Sequence, residues 1–155
     1  MAPLQSTPVA PGRPTPAPDL SPVVLLAEND PTLRALVQET LELDRLRVLT
    51  AVNGEEALAL AEASLPDLLV TDVGMPRLDG FGLIRALRRI YPDVPVIVTS
   101  GDPYYDDRPL ETVAAELRVA ALFLKPFDLE DLQRAVRKTV AVDLESARPP
   151  HRLVA

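Results

Sequence analysis

Short unbroken apolar runs alternate along this chain with stretches in which apolar residues recur every three or four positions. That alternation is the pattern of parallel β/α units, whose strands are buried on both faces. Val23 to Ala27 reads as the first strand. Asp30-Pro31 then supplies an N-cap and a proline at the first helical position, opening a helix with Leu33, Leu36, Val37, Thr40 and Leu41 turned inward. Arg47 to Ala51 is the second strand, Asn53-Gly54 a turn, and Glu55 to Ser64 the second helix. A third strand, Leu68 to Thr71, ends at Asp72, and a loop containing Gly74, Pro76 and Gly80 leads to a helix reaching Tyr91. Pro95 to Thr99 is the fourth strand, Asp107 to Arg118 the fourth helix, Ala121 to Leu124 the fifth strand, and Asp128 to Val142 the last helix. In that helix Leu129, Leu132, Val136, Thr139 and Val140 share one face, while Arg134, Arg137 and Lys138 lie towards the other.

Right-handed crossovers wind five such units into an α/β fold with a doubly wound parallel sheet and five helices. The predicted domain covers residues 22–142. Seven of the 17 prolines fall in the first 22 residues, so residues 1–21 read as a disordered tail, and residues 143–155 as a flexible C-terminal one.

Composition narrows the chemistry. There is no Cys, which excludes thiolate metal sites, cysteine nucleophiles and disulfide scaffolds. The single His151 follows Pro149-Pro150 in the tail and is assigned no role. A net charge of −7 offers no general basic field for nucleic acid or an acidic membrane. No apolar run approaches the roughly 20 residues of a membrane helix, and no signal-like start is present. The expected location is the cytoplasm, with no direct nucleic-acid or membrane partner.

In a doubly wound sheet, ligands bind beyond the carboxyl ends of the strands. Glu28, Asn29 and Asp30 follow the first strand, Asp72 the third, Ser100 the fourth and Lys125 the fifth. Singly, each has an ordinary structural explanation: an N-cap for Asp30, a polar strand end for Ser100, a solvated amine for Lys125. Together they bring carboxylates, a hydroxyl and an amine to one crevice. Oxygen ligands of this kind suit Mg²⁺ bound beside a phosphoryl group. Asp72 as nucleophile would form an aspartyl phosphate, with Ser100 and Lys125 on the phosphoryl oxygens.

The segments that carry these residues, Val24-Leu25-Leu26-Ala27-Glu28-Asn29-Asp30-Pro31, Asn53-Gly54-Glu55-Glu56-Ala57-Leu58, the stretch from Asp67 to Gly80, Pro95 to Gly101 and Leu124-Lys125-Pro126-Phe127, resemble the receiver domain of two-component response regulators. The resemblance spans residues 22 to 142. It implies a flavodoxin-like sheet of order 2-1-3-4-5, a phosphoryl group accepted by Asp72 from a sensor histidine kinase or histidine phosphotransfer protein, and signalling to a downstream protein. It further implies Mg²⁺ held by Asp72, the backbone carbonyl of Gly74, the residue at Asn29 and, through water, Glu28. Ser100 becomes the switch hydroxyl, Lys125 the phosphoryl ion pair, Lys125-Pro126 a cis bond, and Gly101 the small residue that leaves access.

Two positions and one spacing depart from the family pattern. Asn29 stands where a carboxylate is usual, and a neutral amide is the weaker Mg²⁺ ligand. Leu122 replaces the aromatic switch residue, with Phe123 on the opposite face of its strand. Ser100 and Lys125 are 25 positions apart, slightly long, with the extra residues assigned to Asp102 through Pro109, where Tyr104-Tyr105 forms either a partner contact or a plain insertion. The leading expectation is a non-enzymatic phospho-accepting module without its own output domain, with Arg134 and Arg137 as a candidate homodimer face. The alternative is a phosphorylation-independent interaction module with a weakened metal site. An aspartyl-phosphate phosphatase would need an acid two residues after the nucleophile, and Gly74 stands there.

Overall fold

The computed structural model describes residues 17–147. Most of the expected tails, with His151, lie outside the described residues. Five parallel strands form one sheet: β1 (Val23–Ala27), β2 (Arg47–Ala51), β3 (Leu68–Asp72), β4 (Val96–Ser100) and, after a short hairpin of β5 (Tyr104–Tyr105) and β6 (Arg108–Pro109), β7 (Ala121–Leu124). Their order is β2-β1-β3-β4-β7, which is the expected 2-1-3-4-5 once the hairpin is set aside. The helices are α1 (Pro31–Glu42), α2 (Gly54–Ser64), α3 (Gly80–Ile90), α4 (Leu110–Glu116) and α5 (Leu129–Ala147).

The period of two along each strand divides the core. Leu25, Leu69, Val96 and Val98 pack with Phe81, Ile84 and Leu87 of α3 and with residues of α2 and α4. Val24, Leu26, Val70 and Ile97 face the other way, onto Val37 and Leu41 of α1 and Leu132, Val136 and Val140 of α5. β3 and β4 are buried at every position, as central parallel strands require. Leu122 and Phe123 fall on opposite faces as expected, the first against the α2–α4 side and the second beside Phe127 on the other.

Four expectations change. Leu36 is exposed rather than inward, because Leu33, Val37 and Leu41 already fill the stripe that α1 lays on the sheet. Asn53-Gly54 is not a free turn: Asn53 caps α2 by accepting from Glu56 N, and Gly54 is its first residue. The fourth helix starts at Leu110, since Asp106 and Asp107 adopt left-handed φ of 48° and 58° and turn the chain into the hairpin. The last helix runs past Val142 to Ala147, the residues before Arg148-Pro149-Pro150 being helix-compatible.

Candidate functional site

Parallel register assembles the site. β1 pairs Ala27 with Thr71, so the next residues, Glu28 and Asp72, come side by side. β3 pairs Asp72 with Thr99, and β4 pairs Ser100 with Leu124, which sets Lys125 over the end of β4. Backbone bonds hold each residue just past its strand: Glu28 N to Ala51 O, Val73 N to Thr99 O and Lys125 N to Ser100 O at 2.7 Å. Asp79 caps α3 by accepting from Gly82 N. At Gly80 a methyl group would run into the Asp72 carbonyl and sit 2.9 Å from Val73 Cα, so only glycine lets α3 start this close to the end of β3.

Glu28, Asp72 and Ser100 are at most 5% exposed. Lys125 bridges the two carboxylates, with Nζ 3.0 Å from Glu28 Oε2 and 3.3 Å from Asp72 Oδ1. It is therefore not a merely solvated amine. Burial alone would pull the ammonium pKa down, but the hydrogen bond to Glu28 and the charges of Asp72 and Glu28 outweigh it and hold it above the ordinary lysine value. Lys125 stays charged at neutral pH.

Asn29 completes this network as a donor. With its amide nitrogen towards the carboxylates it donates to Glu28 Oε1 at 3.2 Å and Asp72 Oδ2 at 3.1 Å. The reverse orientation would set its oxygen against the same two acceptors. Asp30 is the N-cap of α1, accepting from Thr32 N and Leu33 N, and so is committed elsewhere. Among the described residues no three Asp, Glu or His side chains converge on a metal position. Two carboxylates, the Asn29 amide and the Gly74 carbonyl are nevertheless a donor set that fits Mg²⁺, which commonly takes one or two carboxylates and keeps its waters. Asn29 would ligate only by turning its oxygen inward and giving up both hydrogen bonds.

A cleft of about 500 Å³ opens over Asp72, lined by Gly74, Ser100, Gly101 and Lys125 and walled by Asp79 and Tyr105. A Cβ at Gly74 or Gly101 would meet nothing within 4 Å, so both positions leave the approach open. Ser100 does not point its hydroxyl at Asp72: Oγ donates to Asp102 O at 2.9 Å and accepts from Asp102 N at 3.1 Å. The Lys125-Pro126 bond is cis.

The residue that the sequence reading left undecided is Tyr105. It is half-buried, its ring edge-to-face on Phe81 at 4.7 Å, and its hydroxyl donates to Asp79 Oδ2 at 2.7 Å. The Asp79 hydrogen bond and partial burial raise the phenol's pKa, against the opposing effect of Arg85. The only advance signal was Asp106-Asp107 between two short extended pairs, since aspartate tolerates the left-handed turn of a two-residue hairpin. On α5, Arg137 binds Asp44 of the α1–β2 connection through two nitrogens, and Arg134 pairs with Asp131. Both arginines of the candidate dimer face thus have partners within the chain.

Comparisons with known proteins agree with this architecture. Residues 24–137 match the family model described as the response regulator receiver domain. The transcriptional regulatory protein PrrA of Mycobacterium tuberculosis is 38% identical over 117 residues, covering 76% of this chain and 49% of PrrA. The chain thus spans about half the length of the curated relatives it matches. Among solved structures, the non-phosphorylated HemR receiver domain from Leptospira biflexa is 27% identical with a TM-score of 0.71, covering 84% of this chain and 99% of that one. A CheY-like receiver domain protein from Methanospirillum hungatei has a TM-score of 0.75 at 18% identity, covering 82% and 99%, a likeness of fold. The chain belongs to the receiver-domain family of response regulators, the signalling modules of two-component systems.

Proposed function

We propose that this chain is a phosphorylation-switched receiver in which Asp72 accepts a phosphoryl group from a phosphohistidine on a sensor histidine kinase or histidine phosphotransfer protein. The observation that carries the reading is one buried carboxylate, Asp72, at the floor of an open cleft with an ammonium 3.3 Å away and small residues at its mouth. In the transfer, the phosphorus–nitrogen bond breaks as an Asp72 carboxylate oxygen bonds to phosphorus, and the imidazole keeps the electron pair and takes a proton. Lys125 offsets the negative charge on the transferred oxygens, and Ser100 donates to one of them once it leaves Asp102.

Mg²⁺ fits the charge balance of the site. Glu28, Asp72 and Lys125 carry one net negative charge, to which the phosphoryl group adds about two more. Asp72, the Gly74 carbonyl and Asn29 would hold the ion, with Glu28 acting through water. Bound there, Mg²⁺ would neutralise the incoming phosphoryl oxygens. Output passes to a downstream protein through contacts that change when the cleft repacks. Location in the cytoplasm accords with these partners, and no helix among the described residues is long and apolar enough to cross a membrane.

A second reading, a phosphorylation-independent interaction module, draws its support from Asn29, whose donor role makes the unphosphorylated site self-satisfied. Intact-protein mass after incubation with a small phosphodonor separates the two. The expected result is a Mg²⁺-dependent gain of one phosphoryl group that Asp72→Asn lacks. Equal gain in the variant would exclude Asp72 as acceptor, and no gain in the folded parent protein would favour the constitutive module.

A further inference from the structure

The hairpin between β4 and α4 belongs to no part of the phosphoryl chemistry, yet it closes one side of the cleft. Its two central residues, Asp106 and Asp107, both have positive φ, and its base is fastened by Leu110 N donating to Pro103 O at 2.9 Å. Tyr104 N donates to Asp102 Oδ1, and Asp102 N donates to the Ser100 hydroxyl. The hydroxyl expected to move is thus the first link of a chain of hydrogen bonds leading into the hairpin. The far end is fixed by Tyr105, whose hydroxyl reaches Asp79 at the start of α3, across 26 residues of sequence. Phe81, in the first turn of α3, seats the ring.

We infer that Tyr105 is a positioning residue: its bond to Asp79 latches the hairpin across the cleft and thereby holds the Ser100 hydroxyl on Asp102, away from Asp72. This inference rests on the phospho-acceptor reading of Asp72. Ser100 cannot serve a phosphoryl oxygen while its proton lies on the Asp102 carbonyl. Turning it inward strips Asp102 N of its acceptor and loosens the segment that Tyr105 anchors. The two arrangements compete, so the latch sets how often the receptive one is populated. Leu122 offers no phenol on β7, and Tyr105 supplies one from a different element, tied to α3 instead.

The test uses the full chain and Tyr105→Phe, which keeps the ring on Phe81 and removes only the hydroxyl. A hydrogen bond to a carboxylate carries enough free energy that its loss should raise the open population by about tenfold. The expected results are about tenfold faster amide exchange at Asp102 and Leu110, with the melting temperature lowered by only a few degrees, since the latched fold loses that one bond. Phosphoryl uptake from a small phosphodonor should quicken by about the same factor. Unchanged exchange at Asp102 would overturn the latch. Faster exchange with an unchanged uptake rate would overturn its coupling to Ser100. No uptake by the parent protein would instead sink the acceptor reading and the coupling that rests on it, and the mass of the parent protein alone decides that case.

Discussion

The two sides of the cleft are held by different means. On the side of β1, β3 and β7, Glu28, Asp72 and Lys125 each sit one step beyond or at a strand end, buried or half-buried, in positions that parallel register dictates. Beyond β4, Ser100 bonds its own neighbour, and an exposed hairpin with two left-handed aspartates is fastened across the gap by one phenol. The first side is fixed by the same sheet that forms the core. The second can change without disturbing the core, because its bonds are few and near the surface. A switch needs both: a stiff place for charge to arrive, and a neighbour free to answer it.

The stiff side of the cleft is most vulnerable at Gly80. Alanine there drives a methyl group into the backbone of Asp72 and Val73, where no flexible side-chain end can give way. Gly80→Ala should lower unfolding free energy by about 3 kcal/mol in urea titration, the upper range of overpacking costs. A loss near zero would mean that α3 can shift away from β3, and that the charged side is softer than its burial indicates.

This difference also explains what could be read from the sequence. Apolar runs mark the five strands, and strand ends in a doubly wound sheet necessarily share an edge, so the sequence alone brings Glu28, Asp72, Ser100 and Lys125 together. Asp30 was legible as a cap because its proline follows directly. The hairpin was not, because two strands of two residues give no period, and the Tyr105–Asp79 bond joins positions that no local pattern links. The orientation of Asn29 was equally hidden. An amide both donates and accepts, and only the carboxylates on either side of it decide which face turns inward.

Asn29→Asp probes the charged side of the cleft. The substitution removes two donors from Glu28 and Asp72 and sets a third carboxylate beside them. Without Mg²⁺ the variant should lose about 1 kcal/mol of stability, the net worth of the lost hydrogen bonding. With Mg²⁺ the sign reverses, since a carboxylate replaces an amide among the ligands, and affinity by titration calorimetry should tighten about tenfold. Unchanged affinity would remove position 29 from the metal site and leave Asn29 as a donor alone.

The smallest effect is expected at Tyr104, and it bears on the hairpin alone. Tyr104 and Tyr105 are adjacent, but Tyr104 is 60% exposed and its one described tie to the switch segment is its backbone N–H on Asp102 Oδ1, which any residue but proline retains. Tyr104→Ala should change stability by less than about 0.5 kcal/mol, as surface substitutions do, and leave amide exchange at Asp102 and Leu110 near its original rate. If it instead accelerated that exchange as much as Tyr105→Phe, general aromatic cover would be holding the hairpin down. The phenol of Tyr105 would then have no special place, and the contrast between the two sides of the cleft would reduce to one of burial.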